Sequence, residues 1–403
     1  MTKHIAIICM PAHGHLTPVL AVTRELVNQG YRVTIPTLEE HRAQVEASGA
    51  AAPLYHSPLV EQFAAKKDEM RDAPPAEFKV EEILPMFFGE AGATAPQFVE
   101  LFENDRPDLL VYDQITWAGA LVADRWQVPH VILYPSTVPT QGSNAFRDMV
   151  EQIADPGTAA AVQGALDTAR AGSGLEPLPV LDFLGTQPEL GIAFMTRSFQ
   201  PEGETLDDRY QFVGPCLGDR ISNTGWQPKD AERPLLYVSL GSGFNNQPAF
   251  YRTVIEAFRD EPWQVVLVTG QSVQLSELGD DLPDNFEFHA FAPQLEILPH
   301  ATVFLTHNGM GGTQEGLSFG VPMLGLPQMS EQETNADRVV ELGLGRRLPA
   351  KPTAAELRAA VAEILEDPDI HKRLEAMKWD IEAAGGTKRA ADLLADAVRR
   401  FQA

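Results

Sequence analysis

Apolar and polar positions along this chain fall into blocks, and the blocks predict strands and helices in alternation. His4–Met10 is a continuous apolar run of the kind buried on both faces of a sheet. Pro18–Asn28 has helical spacing and stops at Gly30. Tyr31–Ile35 reads as a second strand and Glu39–Ser48 as a second helix, ended by Gly49. Asp108–Tyr112 and His130–Tyr134 are further buried strands, with a helix over Trp117–Trp126 between them. A second alternation begins at Leu235–Leu240. It continues through helix Gln247–Arg259, strands Trp263–Val268, Asn285–His289 and Val303–Thr306, helix Thr313–Phe319, strand Met323–Leu326 and helix Glu331–Leu342. Thr353–Leu365 and Ile370–Gln402 read as helical. Strand–helix alternation with short loops predicts parallel sheets joined by right-handed crossovers.

Two stretches break this rhythm. Residues 56–100 mix proline, charge and aromatics (Phe63, Phe78, Phe87, Phe88 and Phe98, with Met86 among them), and residues 139–188 do so again around Phe146 and Met149. In a doubly wound domain such excursions lie over the strand ends, where ligands bind. Residues 214–233 are rich in Gly, Pro and Asp and lack periodicity, as expected of an interdomain linker. The organisation is therefore 1–215, a linker at 216–233, and 234–386, with a last helix at 387–403.

Composition narrows the function. The chain has 403 residues, enough for two domains, and a net charge of −25, which disfavours nucleic acid as a partner. No apolar run is long enough to span a membrane, and IAIICM is too short for a signal peptide. With two cysteines, Cys9 and Cys216, no disulfide framework exists, and a cytoplasmic location is expected. No His/Cys cluster has metal-ligand spacing.

The chemistry lies at strand ends. The first strand runs into Pro11-Ala-His13-Gly14-His15-Leu-Thr17-Pro18, a loop without a dinucleotide glycine fingerprint. Thr17-Pro18 predicts a capped helix start. His15 either acts as a general base or caps and packs. Asp113 ends another strand at the same sheet edge. It either pairs with His15, fixing its tautomer, or caps the following helix. In the second half, Gly241-Ser242-Gly243 follows a strand. His307 and Gly309-Met-Gly311-Gly312-Thr313 follow another and lead into a helix, the strongest anion-site candidate in the chain. Glu315 then serves either the helix dipole or ribose hydroxyls. Gly316-Leu-Ser318-Phe-Gly320 matches a nucleophile-elbow pattern, but its serine follows a helix rather than a strand, so it is not read as a nucleophile. Asp367-Pro-Asp369 reads as a cap between helices.

Residues 291–338, with FAPQ at 291–294, His300 and THNGMGGTQEGLSFGVPMLGLPQMSEQETNAD, resemble the nucleotide-sugar signature of the inverting, UDP-sugar-dependent GT-B glycosyltransferases. The resemblance extends from HGHLTP to the C-terminal helices and is closest to the bacterial macrolide branch. It implies an α/β fold of two Rossmann-like domains facing across a cleft, the first binding acceptor and the second donor. The last helix would return to the first domain. It implies that His15 is the base and Asp113 its supporting carboxylate. The nucleotide-sugar set would be Ser242, Phe291, Ala292, Gln294, His307, Gly311, Gly312, Thr313, Glu315, Glu331 and Gln332. Within it, Ser242, His307, Gly312 and Thr313 would hold the diphosphate, Glu315 the ribose, and Glu331 with Gln332 the sugar. Phe291 would stack on uracil where plant relatives carry Trp, and Glu331 stands where Asp is common. Phe63, Met86, Phe87, Phe88, Trp117, Phe146 and Met149 would line the acceptor site.

The expected reaction moves a sugar, glucose first, from a UDP-sugar to a hydroxyl of an apolar small molecule such as a macrolide or phenol. It needs no metal or other cofactor, and the protein is expected to be a monomer or weak dimer. A thymidine-nucleotide deoxysugar transferase is the alternative. A GT-B sugar-nucleotide epimerase would need no apolar acceptor pocket, a non-catalytic helper would lack the His15/Asp113 pair, and an NAD-dependent oxidoreductase would need the missing glycine fingerprint.

Overall fold

A computed structural model describes residues 2–63, 80–140, 144–218, 224–243 and 245–401, with side chains for all of these except 80 and 81. Phe78, Gln402 and residues 219–223 of the expected linker lie outside the described residues. The chain divides into two compact units. One runs to Cys216 and resumes at Ala384, and the other holds Leu217–Ala383.

The first unit is built on a six-stranded sheet of order β2-β1-β3-β4-β5-β6. Its strands are β1 (His4–Ile8), β2 (Arg32–Thr34), β3 (Leu109–Asp113), β4 (His130–Tyr134), β5 (Gly191–Ala193) and β6 (Tyr210–Phe212). Every pairing is parallel, with Ile7 opposite Val111 and Asp113 opposite Leu133. Parallel bridges Thr34–Ala51 and Thr37–Leu54 extend the β2 edge. The central strands β1, β3 and β4 are mostly apolar and buried, as expected of strands covered on both faces. Ile5, Ile7, Val33, Val111, Val131 and Ile192 are buried in one cluster with Leu394 and Val398 of the helix Gly386–Arg400. The chain's last helix is thus part of the first unit's core.

In the first unit, three expected segments fold differently. The first helix starts at His13, not Pro18, so Thr17 is no cap and Pro18 lies inside the helix. Residues 56–100 contain most of the 22-residue helix Val80–Leu101, with Pro85 and Pro96 inside it. Its buried side chains Leu84, Phe88, Ala91, Ala95 and Phe98 recur at helical spacing. Residues 139–188 fold as three helices, Ala145–Glu151, Pro156–Gly172 and Val180–Leu184.

The second unit repeats the plan with order β12-β11-β10-β7-β8-β9. Its strands are β7 (Leu235–Ser239), β8 (Gln264–Val268), β9 (Phe286–His289), β10 (Val303–Thr306), β11 (Met323–Gly325) and β12 (Gly345–Arg347). All its pairings are parallel. Part of the expected linker is strapped to this unit. Glu296 accepts from the backbone N–H of Thr224 and Trp226 and from the Thr224 hydroxyl. The expected helix Ile370–Gln402 is two helices, Ile370–Ala384 and Gly386–Arg400, separated at Gly385, whose φ of +89° a side chain would strain. In each sheet the strand order reverses once, between β1 and β3 and between β7 and β10. The strand ends at such a reversal are where open α/β sheets bind ligands. Among the described residues no helix is long and apolar enough to cross a membrane.

Candidate active site

In the first unit the turn after β1 is tight, with Ala12 N–H on the Met10 carbonyl at 2.8 Å. It places His15 in the opening turn of the helix His13–Asn28, and His41 Nε2 lies 3.1 Å from the Pro11 carbonyl beside that turn. Asp113 is the last residue of β3 and is 0% exposed. His15 Nδ1 lies 2.5 Å from Asp113 Oδ2, while Asp113 Oδ1 accepts the Ile115 N–H at 3.1 Å. Both carboxylate oxygens are therefore engaged, and neither caps the helix Trp117–Trp126, which has no side-chain cap. His13 turns to Thr17, at 3.4 Å. Burial, then the charge of Asp113, raises the Cys9 thiol well above its ordinary range, so this neighbour stays protonated.

Beside the pair lies a cavity of about 20 Å³. Met10 and Pro11 of the same turn, Ile115–Ala118, and Phe87, Glu90, Ala91, Thr94 and Phe98 of the helix Val80–Leu101 line it with Tyr55 and Leu59. Phe87, Trp117 and Phe146 form a ring cluster, with centroids 5.3–5.9 Å apart. Phe88 is 0% exposed and packs against Trp117 and Phe183, supporting the cluster from within. Phe63, Met86, Phe146 and Met149 are half-buried and do not line the cavity.

In the second unit the helix Met310–Ser318 starts directly after β10 without a side-chain cap or an acidic first turn. Its first backbone bond runs from Thr313 N–H to the Gly309 carbonyl at 3.0 Å, so the N–H groups of Met310, Gly311 and Gly312 have no partner within the helix. Gly311 is exposed, and a Cβ there would meet nothing within 4 Å. His307 sits between two glycines. A Cβ on Gly241 would lie 2.5 Å from its Cε1, and one on Gly309 2.6 Å from its Nε2. Burial drives its pKa down to about 4, partly opposed by the Ser239 backbone, so the imidazole is neutral at pH 7. Ser242 is exposed after β7. Thr313 is 0% exposed, three residues into the helix.

Phe291 is 81% exposed and Ala292 beside it is buried. Tyr237 donates to Gln294 Oε1 at 3.1 Å, and Gln294 Nε2 donates to Glu315 Oε2 at 2.5 Å, which fixes that buried carboxylate. Glu331 is exposed, whereas Gln332 is buried and accepts the Gln328 N–H at 2.9 Å. Asn335 was missed in the sequence. Its amide donates to the Asn308 carbonyl at 2.9 Å and to Glu331 Oε1 at 3.2 Å, tying the His307 turn to Glu331. Its position four residues after Glu331, on one helix face, was the available signal. Ser318 ends its helix and donates to the Gln314 carbonyl at 2.7 Å, in keeping with the rejected elbow.

Two all-parallel sheets, each carrying its chemistry at the order reversal, are the architecture of the GT-B glycosyltransferases. Residues 263–388 match the family model of the erythromycin biosynthesis protein CIII-like C-terminal domain. The chain is 41% identical to the NDP-glycosyltransferase YjiC of Bacillus licheniformis, over 97% of this chain and 96% of that one. It is 36% identical to the oleandomycin glycosyltransferase of Streptomyces antibioticus, over 97% and 90%. The solved kitacinnamycin glycotransferase superposes with a TM-score of 0.85 at 36% identity, covering 98% of this chain and 99% of that one. The chain belongs to the macrolide-type, natural-product branch of the nucleotide-sugar glycosyltransferases.

Proposed function

We propose that the chain is an inverting O-glycosyltransferase that moves glucose from UDP-glucose to a hydroxyl of an apolar small molecule of the macrolide or phenolic type. The observation that carries this reading is the 2.5 Å contact between His15 Nδ1 and Asp113 Oδ2. Taking a proton from an alcohol makes an imidazolium, and a buried carboxylate on the far nitrogen stabilises it as it forms.

In this scheme the acceptor proton passes to His15 Nε2. The acceptor oxygen bonds to the anomeric carbon as the bond from that carbon to the diphosphate oxygen breaks on the opposite face, which inverts the centre. The charge left on the diphosphate is met by the N–H groups of Gly311 and Gly312 and by neutral His307, donors oriented before reaction begins. No metal is assigned a part. Glu315 takes the ribose hydroxyls, which favours a donor with a 2′-hydroxyl. Glu331 and Gln332 take the sugar, and Phe291 stacks on the base. Phe87, Trp117 and Phe146 offer the acceptor an apolar wall. A phenol, with a pKa of about 10, is easier to activate than an aliphatic alcohol.

The test is incubation with UDP-glucose or TDP-glucose and a panel of phenols and macrolides, with and without EDTA. Acceptor-dependent UDP release that survives EDTA is expected. Nucleotide release that no acceptor stimulates would sink the reading, and a clear preference for TDP-glucose would transfer it to thymidine-nucleotide donors.

A further inference from the structure

The wall of the cavity beside His15 is not uniformly apolar. Among its described lining residues Glu90 is the one charged side chain, set among Phe87, Phe98, Ile115 and Trp117. Glu90 Oε2 accepts the Leu59 N–H at 2.9 Å. Tyr55 lines the same cavity, and burial first and the charge of Glu90 second make its phenol less acidic. Thr116 completes the polar side. It occupies the N-cap position of the helix Trp117–Trp126 yet does not cap it, and its buried hydroxyl has no hydrogen-bond partner. The orphan hydroxyl is costly unless something binds it, and the Glu90 carboxylate has acceptor capacity beyond the Leu59 N–H. At about 20 Å³ the space admits one small polar group, such as a hydroxyl or a water.

The cavity is also joined to the base. Met10 and Pro11 in its wall belong to the turn that precedes His15, and Ile115 in its wall donates to Asp113. We infer, on the basis of the transferase reading above, that the preferred acceptor carries a second hydrogen-bond donor beside the reacting hydroxyl, and that Glu90, with Tyr55 and Thr116, receives it. The class is a small aromatic or macrocyclic molecule with an additional hydroxyl or ammonium group, rather than a wholly apolar alcohol.

Three matched acceptors test this with the full-length protein: 4-ethylphenol, 4-(2-hydroxyethyl)phenol and 4-(2-aminoethyl)phenol. Wild-type kcat/KM with UDP-glucose is expected to favour one or both donor-bearing phenols by about tenfold or more. The better of the two identifies hydroxyl or ammonium as the partner. Glu90→Gln preserves an oxygen for the Leu59 N–H and is expected to erase most of that preference. Thr116→Val is expected to erase part of it. Calorimetric binding of the same phenols without donor should rank them in the same order. That ranking stands apart from turnover, so a failure of glucosyl transfer and a failure of this inference are separable. Equal binding of all three phenols by the wild type overturns the inference, as does an undiminished preference in a folded Glu90→Gln protein.

Discussion

His15 and Asp113 are 98 residues apart in sequence, yet the imidazole Nδ1 and the carboxylate Oδ2 meet at 2.5 Å because β1 and β3 are neighbours in one parallel sheet. His15→Ala should lower kcat by about 10²–10⁴-fold with UDP affinity unchanged by calorimetry, because the base acts on the acceptor. Asp113→Asn should lower kcat by about 10²-fold or more while leaving the fold intact, since the amide can keep the Ile115 contact but cannot stabilise an imidazolium. Wild-type turnover in His15→Ala would remove the histidine from its role.

The glycines around the proposed diphosphate seat predict two different outcomes. Gly309→Ala would drive a methyl to 2.6 Å from His307 Nε2, so both the melting temperature and UDP affinity should fall, the latter about tenfold or more. Gly311→Ala meets nothing within 4 Å, so stability should hold, while UDP binding weakens as the methyl occupies the phosphate's place. Thermal unfolding and calorimetry on the pair separate a packing glycine from a ligand glycine. Unchanged UDP binding by Gly311→Ala would move the phosphate elsewhere.

Asn335 acts through other groups. Asn335→Ala leaves the buried Asn308 carbonyl without its 2.9 Å donor and removes the 3.2 Å bond to Glu331. The donor KM should rise about tenfold with a smaller change in acceptor KM. Asn335→Gln should fail to rescue, because the longer chain cannot span the same two partners. A purely structural role would lower the melting temperature without separating the two KM values.

Acid should destabilise the fold through His307. Its folded pKa of about 4 is below the unfolded value of 6.5, so the unfolded chain binds more protons between these pH values. Stability is fully present above about pH 6.5 and is lost as pH falls toward 4, by roughly 2 kcal/mol between pH 7 and pH 5. Urea unfolding of His307→Gln should show a flatter dependence. Some slope should remain from His4, whose pKa burial also lowers.

The alternating plan was legible because strands buried on both faces leave unbroken apolar runs, as in Ile5–Ile8 and Val303–Leu305. His15, Asp113 and His307 stood out because each lies at or just past the end of such a run. The helix Val80–Leu101 was hidden by Pro85 and Pro96, which read as breakers, although its buried residues keep helical spacing. Asp155-Pro156 marks a helix start that the irregular composition around it obscures. β5 and β6 are three residues each, too short to leave a pattern. Glu90, Tyr55 and Thr116 lie on three separate segments, and only the folded chain brings them to one cavity. That Thr313 and Phe88 are fully buried was not legible, because sequence spacing fixes a neighbourhood, not the direction of a side chain.

The helix Gly386–Arg400 sets a rule for recombining enzymes of this family. Its Ala390, Leu394 and Val398 are buried with β1 of the opposite terminus. A hybrid made by a single splice near Cys216 would therefore pair one parent's amino-terminal core with the other parent's closing helix. Exchanging the second unit calls for two junctions, near residues 216 and 384, so that the central segment is transplanted and both ends come from one parent.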